Sequence, residues 1–494
     1  MTSGPLHSRP LPPHHSMEKG SLLEMWRQIF IHGMDMFNLL IVSYFVIGNG
    51  VYTLLMVLSL ATVWLYNRRL SYQDMDEIRE SPVTPPVTIV IPAWNEEQII
   101  LETTVSALQT DYPEFEVVVV DDGSTDGTLT RLIDHFHLVK MDLIYRPHIP
   151  TQGVRGFYMN PDVPNLLVVS KKNGGKPDAL NAGINVCRTP FFCTLDSDSI
   201  LERDALLRLM RPVIHSPVNT VASGGIVRVM NGCQISDGQV AQVALPRSLL
   251  ERFQVVEYLR SFLFGRTGWD LLGGTLIVSG AFAVFHRETV MEAGGFSHET
   301  VTEDMDLIVQ LHHWAARNKR RIRMSFTSDP VCWTECPVSL KMLSRQRRRW
   351  QLGLCQTLWK HSEMLFNRKY GMVGTFSFPF HLYVEALGAV VEFLGYFMVP
   401  LAIIFGMVPA MLYLLFVLLS LAYGGLLSIG AVLLEELTYR RYPAYRELSI
   451  LLLFAFIENL GYRQLVLYYR FEGVVRFLIG SWRWEKVTHV GVTH

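Results

Sequence analysis

The chain has 494 residues, is 49% hydrophobic and carries a formal net charge of −1. Such a length exceeds one ordinary domain, and the balanced charge excludes a protein that holds nucleic acid through its overall field, leaving only local basic patches. The apolar residues are unevenly spread: Phe37–Tyr66 is thirty residues without a charge and Phe393–Leu434 is forty-two, which argues for membrane spans over the alternative of a large buried core.

Residues 1–36 are rich in Pro and His, contain no signal peptide pattern, and are expected to be a disordered tail. A bilayer core takes about 20 apolar residues per helical pass, so residues 37–66 are expected to cross once with some tilt. Arg68, Arg69 and Arg79 follow, and the positive-inside preference places the next segment in the cytosol.

From 82 to 335 the composition turns globular. The runs VTIVIP (87–92), EVVVV (116–120), NLLVVS (165–170) and FFCTL (191–195) are each followed by a polar turn and a helical pattern such as TLTRLIDHF or PDALNAGI. This alternation predicts βαβ units, hence an α/β domain whose mostly parallel sheet carries helices on both faces. Ligands of such sheets bind beyond the carboxyl ends of the strands. The residues found there are AWNEE (93–97) with Glu96, DDGSTDGT (121–128) with Asp121 and Asp122, KKNGGKPDALN (171–181) with Lys176, and DSDS (196–199) with Asp196 and Asp198.

One Asp-Gly-Ser is ordinary turn chemistry, but four charged strand ends in register are not. Asp196 and Asp198 alternate onto one face and are hard oxygen donors suited to Mg²⁺ or Mn²⁺. Substrate phosphates usually complete such a shell, so a diphosphate partner is implied, with Lys176 as a point charge beside it. A turn-initiating acidic pair is the plain alternative. Asp121 and Asp122 offer acceptors to a base edge or ribose. A phosphate loop of the form GxxxxGK followed by Ser or Thr is absent, as is GxGxxG after the first strand, which excludes a Walker-type site and argues against a dinucleotide fold.

VSGAFAVFHRETVMEAGGF (278–296) reads as a strand and a Gly-rich turn that returns the chain to the crevice. TEDMDLIVQLHHW (302–314) then opens a helix running to about Asn318, with Thr302 as N-cap and Glu303, Asp304 and Asp306 in its first turn. Acids there suit the helix dipole without further role; the functional alternative is that Asp304, kept ionised, serves as a general base. From Cys336 to Ser362 there are six basic residues, no acid, and Trp350 and Trp359 among them, around the stretch QRRRW (346–350). A basic, aromatic helix next to membrane runs reads as interfacial. Its arginine forks also suit diphosphates and its tryptophan faces suit sugar rings; nucleic-acid binding is the competing reading.

Phe393–Leu434 is too long for one pass and is expected to be two, broken near Gly406 and Pro409. With Leu448–Ile457, which stops at Glu458 and Asn459, residues 371–470 are expected to hold two to four passes ahead of a tail at 471–494. Glu385, Glu392, Glu458, Asn459 and Arg463 would line a polar path or pair with one another. The six cysteines lack the paired spacing of two CxxC motifs and read as thiols of a reducing compartment.

Together these elements resemble the processive, membrane-bound family-two glycosyltransferases, the cellulose, chitin, hyaluronan and poly-N-acetylglucosamine synthases, from about Val87 to Trp350. The first acidic motif is Asp121–Asp122, the DxD is Asp196–Asp198, the TED is Thr302–Glu303–Asp304 and the QxxRW is Gln346–Arg349–Trp350. The resemblance implies a GT-A fold on the cytosolic side of the cell membrane. It also implies a UDP-sugar donor, N-acetylglucosamine favoured, a divalent Mg²⁺ or Mn²⁺, a growing glycan or lipid acceptor, surrounding membrane lipid and no nucleic acid, with room for accessory export subunits. By residue, Asp121 and Asp122 would hold uridine with Glu96 nearby, Asp198 with Asp196 the metal and diphosphate, and Lys176 a phosphate. Asp304, flanked by Glu303, would be the base, and Gln346, Arg349 and Trp350 would close the site. Inversion by one in-line displacement needs no covalent nucleophile, and none is evident here. The rival readings are transfer of a single hexose to a lipid-type acceptor, and a transporter or receptor that only binds a nucleotide.

Overall fold

A computed structural model describes residues 17–70, 75–81, 83–216, 219–406, 409–442 and 444–480. The strands are β1 (Val87–Ala93), β2 (Phe115–Asp121), β3 (Val139–Met141), β4 (Val154–Met159), β5 (Leu166–Lys171), β6 (Phe191–Leu195), β7 (Ser199–Leu201), β8 (Thr220–Val229), the hairpin β9–β10 (Gln234–Ser236, Gln239–Gln242), β11 (Phe282–His286) and β12 (Arg323–Thr334). All but the hairpin join one sheet in the order β3-β4-β5-β2-β1-β6-β11-β8-β12-β7. The four strands read from hydrophobic runs are its parallel block, β5-β2-β1-β6. Antiparallel strands extend it on both sides: β3 and β4 at one edge, and β11 and β7 towards the other.

Period-two alternation explains the layering. On β1, Ile89 and Ile91 face the helices Ile100–Leu108, Thr128–Phe136 and Ala205–His215, while Val90 faces Lys176–Val186 and Glu303–Arg317. Gly183 lets the Lys176–Val186 helix lie directly on β1, since a Cβ there would stand 2.3 Å from Val90 Cγ1. The register Ala93↔Asp121↔Ser170 brings the ends of β1, β2 and β5 level. The loops carrying the polar residues therefore leave one edge of the sheet together.

The first helix runs from Met17 to Leu70, so the tail expected over 1–36 is helical from Met17 onward; residues 1–16 lie outside the described residues. The last proline of that stretch is Pro13, and nothing beyond it interrupts a helix. Glu24–Val63, Val373–Ile404 and Ala410–Thr438 are long and apolar enough to cross a membrane. Tyr445–Ile457 and Tyr462–Leu478, bent by 57° at their break, make a fourth if taken as one span. The long uncharged run divides at Gly406, whose φ of +68° suits glycine. Of the two tails expected at the ends, residues 481–494 of the second lie outside the described residues.

The sheet is joined to these helices by charge. Arg228 of β8 and Glu435, near the end of the Ala410–Thr438 helix, form a buried ion pair, with the Arg228 guanidinium 5.8 Å over the Trp333 ring. Arg441 reaches Glu202 at 2.7 Å. Cys332 and Cys336 are buried and free.

Candidate active site

The turns after β1 and β2 are knitted together. Asn95 takes a left-handed φ of +57°, tolerable for Asn, which lets its N–H donate to Ser124 Oγ and its side-chain oxygen accept from Thr125 N at 2.7 Å. Glu96 N–H donates to Thr128 Oγ1 at 2.9 Å, and Glu97 Oε2 accepts from Gly127 N at 3.1 Å. Glu96 is thereby fixed, half-buried, at the rim. Asp121 accepts from Ser124 N (3.1 Å) and Ser170 Oγ (3.0 Å), so both its oxygens are oriented from inside the sheet.

Asp122 is different. Its carboxylate pairs with Lys171 and accepts from Gly174 N (3.0 Å) and Gly175 N (2.7 Å), while Lys171 also holds Asp178 at 2.6 Å. Burial pushes the Asp122 carboxyl up, with Lys171 and the two glycine amides pulling against it. Gly123, at φ +70°, permits the approach of this loop, because a Cβ would lie 2.8 Å from Asn173 N. Asp122 and Lys171 thus build the NGG loop from within.

That loop launches the Lys176–Val186 helix, with Pro177 at its start. Lys176 reaches across to Asp196 Oδ1 at 2.6 Å, just past β6, and to Glu303 Oε1 at 3.1 Å on the TED helix. One ammonium thus joins three loops that are more than a hundred residues apart at their extremes. Burial works to lower the Lys176 pKa, but Asp196 and Glu303 outweigh it and hold it well above its ordinary value. Asp196 is pushed by burial up to about 6, against the pull of Lys176 and with the charge of Asp198 adding. Asp198 is fixed by Ser199 Oγ and Thr334 Oγ1, both donating to Oδ1 at 3.2 Å.

The TED helix starts at Glu303. Thr302 occupies the N-cap position without a side-chain cap bond; its hydroxyl is buried against the QRRRW helix instead, where a Cβ on Gly353 would stand 2.3 Å from it. Gln356 Oε1 accepts from Val301 N at 3.0 Å, and Asp306 is fully buried between Lys360 and His361, both at 2.9 Å. The two helices are therefore locked along their length. Burial opposes ionisation of Glu303, yet Lys176 and Arg349 hold its pKa below the usual value. Asp304 behaves oppositely: burial and the neighbouring Glu303 charge raise it, against Lys176 and Arg266. The helix start therefore acts on Asp304 against burial and the Glu303 charge, and the balance is upward. Gly280 leaves the room it occupies, since a Cβ would come within 2.7 Å of Asp304 Oδ2.

In QRRRW (346–350) the residues divide by role. Arg347 is buried, pairs with Glu257 at 2.7 Å, stacks 4.3 Å over Trp350 and bonds Gln346 Oε1 at 2.5 Å. Arg348 pairs with Glu472 at 2.7 Å. Arg349 has a buried Nε with no partner, and its charge acts on Glu303. Trp350 is 39% exposed. Arg347, Arg348 and Lys360 of the basic stretch are thus held in internal pairs.

Sequence reasoning missed Lys171, whose only signal was its place at a strand end, and Glu257, which sits in an unremarked helix. It also missed Arg266, whose guanidinium lies 3.8 Å over Phe262 with Nη1 buried and unpartnered. Burial lowers the Arg266 pKa to about 10, with Asp304 opposing.

Among the described residues no three His, Cys, Asp or Glu side chains gather as a closed metal site. The donor set is instead the open kind: two carboxylates one residue apart, Asp196 raised by burial and by its neighbour, which fits a hard divalent cation whose remaining ligands come from substrate.

A family model described as "Glycosyltransferase like family 2" matches residues 85–353. A poly-beta-1,6-N-acetyl-D-glucosamine synthase of Staphylococcus aureus is 25% identical over 315 residues, 64% of this chain and 63% of the relative. The chain thus spans under two thirds of the length of the curated relatives it matches. Among solved structures, a Pyrobaculum calidifontis mannosyltransferase with GDP-Man and Mn²⁺ is 20% identical, with a TM-score of 0.48, covering 84% of this chain and 99% of that one. Residues 1–349 of S. aureus TarS with UDP-GlcNAc give 15% and 0.36, over 80% of this chain and 92% of that one.

Proposed function

Because the chain belongs to the glycosyltransferases of family 2, we propose that it transfers N-acetylglucosamine from UDP-N-acetylglucosamine to the end of a β-linked glycan at the membrane, inverting the anomeric carbon. The observation that carries this reading is Lys176, bridging Asp196 of the DxD and Glu303 of the TED. The name of the Staphylococcus aureus relative supports the choice of sugar. The three or four apolar helices support a multi-pass membrane protein, and Arg68, Arg69 and Arg79 after the first support a sheet on the cytosolic side.

Asp121, oriented by Ser170 and Ser124, would hold the uridine, with Glu96 at the same rim and Asp122 supporting the loop between them. Asp196 and Asp198 would hold Mg²⁺ or Mn²⁺, which when bound supplies charge neutralisation to the leaving diphosphate. Lys176 and Arg349 would carry the rest of that charge, and Gln346 and Trp350 would shape the acceptor side. Asp304 takes the proton of the acceptor hydroxyl as its oxygen attacks the anomeric carbon and the bond to UDP breaks. Burial and the Glu303 charge shift its pKa upward, the direction that strengthens a base.

The test is UDP release from single UDP-sugars by membranes holding the protein. Release from UDP-N-acetylglucosamine, abolished by EDTA and restored by Mn²⁺ or Mg²⁺, is expected; Asp304→Asn should remove it while UDP binding stays within about twofold. Full activity of that variant would take Asp304 out of the base role. Products longer than one added sugar are expected on a gel, and a single addition would favour transfer to a lipid-linked acceptor instead.

A further inference from the structure

Directly after Trp350 comes Gln351, which is buried and faces the membrane helices rather than the sheet. Its Oε1 accepts from Arg470 Nε at 3.0 Å, and its Nε2 donates to the carbonyls of Glu385 and Ala386, each at 3.2 Å. Those carbonyls lie in the π-helical turn His381–Ala386, whose wider winding displaces backbone acceptors from the usual ladder. Arg470 Nη2 in turn bonds Glu385 twice, at its carbonyl (2.6 Å) and its carboxylate (2.9 Å). Tyr52 of the first helix donates to the other carboxylate oxygen of Glu385.

The QRRRW helix, the Val373–Ile404 span and the last described helix thus meet at Gln351, next to Trp350, and the first membrane helix joins them through Tyr52 and Glu385. One turn earlier Arg348–Glu472 joins the same pair of helices, and Gly473 lets them touch, since a Cβ there would stand 2.8 Å from Gln351 Cβ. Each bond is directional, so the rotation of the QRRRW helix about its axis is set from the membrane side. A slip of one residue would turn Trp350 and Arg349 by about 100°. An ionised pair inside an apolar bundle is otherwise an expense that apolar packing avoids.

We infer that Gln351, Arg470, Glu385 and Tyr52 are positioning residues, a relay through which the membrane helices place Trp350 and Arg349 for sugar transfer. The inference rests on the glycosyltransferase reading above and goes beyond it: the membrane bundle is part of the active-site geometry as well as an anchor. Donor binding rests mainly on the sheet and Lys176, with Arg349 adding a smaller share, so turnover depends on the relay far more than donor affinity does.

The test is steady-state UDP release and donor affinity of the full chain in lipid nanodiscs, for Gln351→Ala, Arg470→Met and Arg470→Lys. Gln351→Ala leaves both charges paired but removes three buried hydrogen bonds, so a purely structural role predicts a lower Tm with kcat unchanged. The relay predicts a kcat lower by about tenfold to a hundredfold, measured below the Tm of each variant, with UDP-N-acetylglucosamine affinity weakened far less. Arg470→Met is expected to lose kcat in the same way and Arg470→Lys to recover part of it. Wild-type turnover in Gln351→Ala, or equal losses of donor affinity and kcat in all three, would overturn the relay. Wild-type protein that releases no UDP from any UDP-sugar would overturn the functional reading instead.

Discussion

Two lysines five residues apart each sit between two carboxylates, and they do opposite things. Lys171 lies between Asp122 and Asp178 with no exposed side-chain surface; Lys176 lies between Asp196 and Glu303 with about a third of its side chain open. In the first cluster every oxygen is claimed by a protein donor, including the Gly174 and Gly175 amides. In the second the lysine is left partly open, and under the proposed function substrate charge would take up that opening. The same ionic chemistry therefore closes a loop in one place and opens a site in the other. Accessibility decides which.

Substitutions can break that contrast or sharpen it. The largest effect is expected for Lys171→Met, which strands two buried carboxylates and costs about 3–5 kcal/mol of stability; it should read as lost expression or a steep fall in Tm in detergent. Lys176→Met is expected to fold and to lose about 10- to 100-fold in UDP release, the worth of a charged hydrogen bond to a phosphate. A Tm loss as large as that of Lys171→Met would erase the distinction. Gly280→Ala pushes a methyl into the space of Asp304 and is expected to lower kcat about tenfold with unchanged donor affinity, measured by parallel turnover and binding.

The smallest effect is one of pH. The folded-state pKa of Asp196, about 6, lies above its ordinary value, so the folded protein binds more protons than the unfolded chain between about pH 4 and pH 6. Stability contributed at this group falls as pH rises through that window and stays lower above it. Asp196→Asn is then expected to raise Tm by a few degrees at pH 7 and by nothing at pH 4, while abolishing transfer. An equal gain at both pH values would place the cause elsewhere.

Much of this was legible in sequence because a buried parallel strand must be apolar throughout and must end at its first charged residues. β1, β2, β5 and β6 announce themselves that way, and with them Asp121, Lys176, Asp196 and Asp198. Asp122 and Lys171 were not separable from their neighbours, since sequence gives the register of a strand end but not which side chain turns inward. The same limit hid the division within QRRRW: Arg347, Arg348 and Arg349 look alike until Glu257, Glu472 and Glu303 are placed beside them. The match of Arg470 to Glu385 was beyond reach for another reason. Their pairing spans 85 residues and depends on how the last helix folds back onto the QRRRW helix, which no local pattern encodes. The TED acids were legible as a helix start, but the raised pKa of Asp304 comes from burial, which periodicity does not measure.

The most direct test of the central claim, that one crevice at the membrane face gathers the strand-end carboxylates, the TED and the arginine of QRRRW, is a cryo-EM map of the protein in nanodiscs with UDP-N-acetylglucosamine and Mn²⁺. The account predicts a diphosphate within hydrogen-bonding reach of Lys176 and Arg349, a metal on Asp196 and Asp198, and Asp304 facing the anomeric carbon. Nucleotide bound away from Lys176, or Asp304 opening onto a different cavity from Asp198, would contradict it.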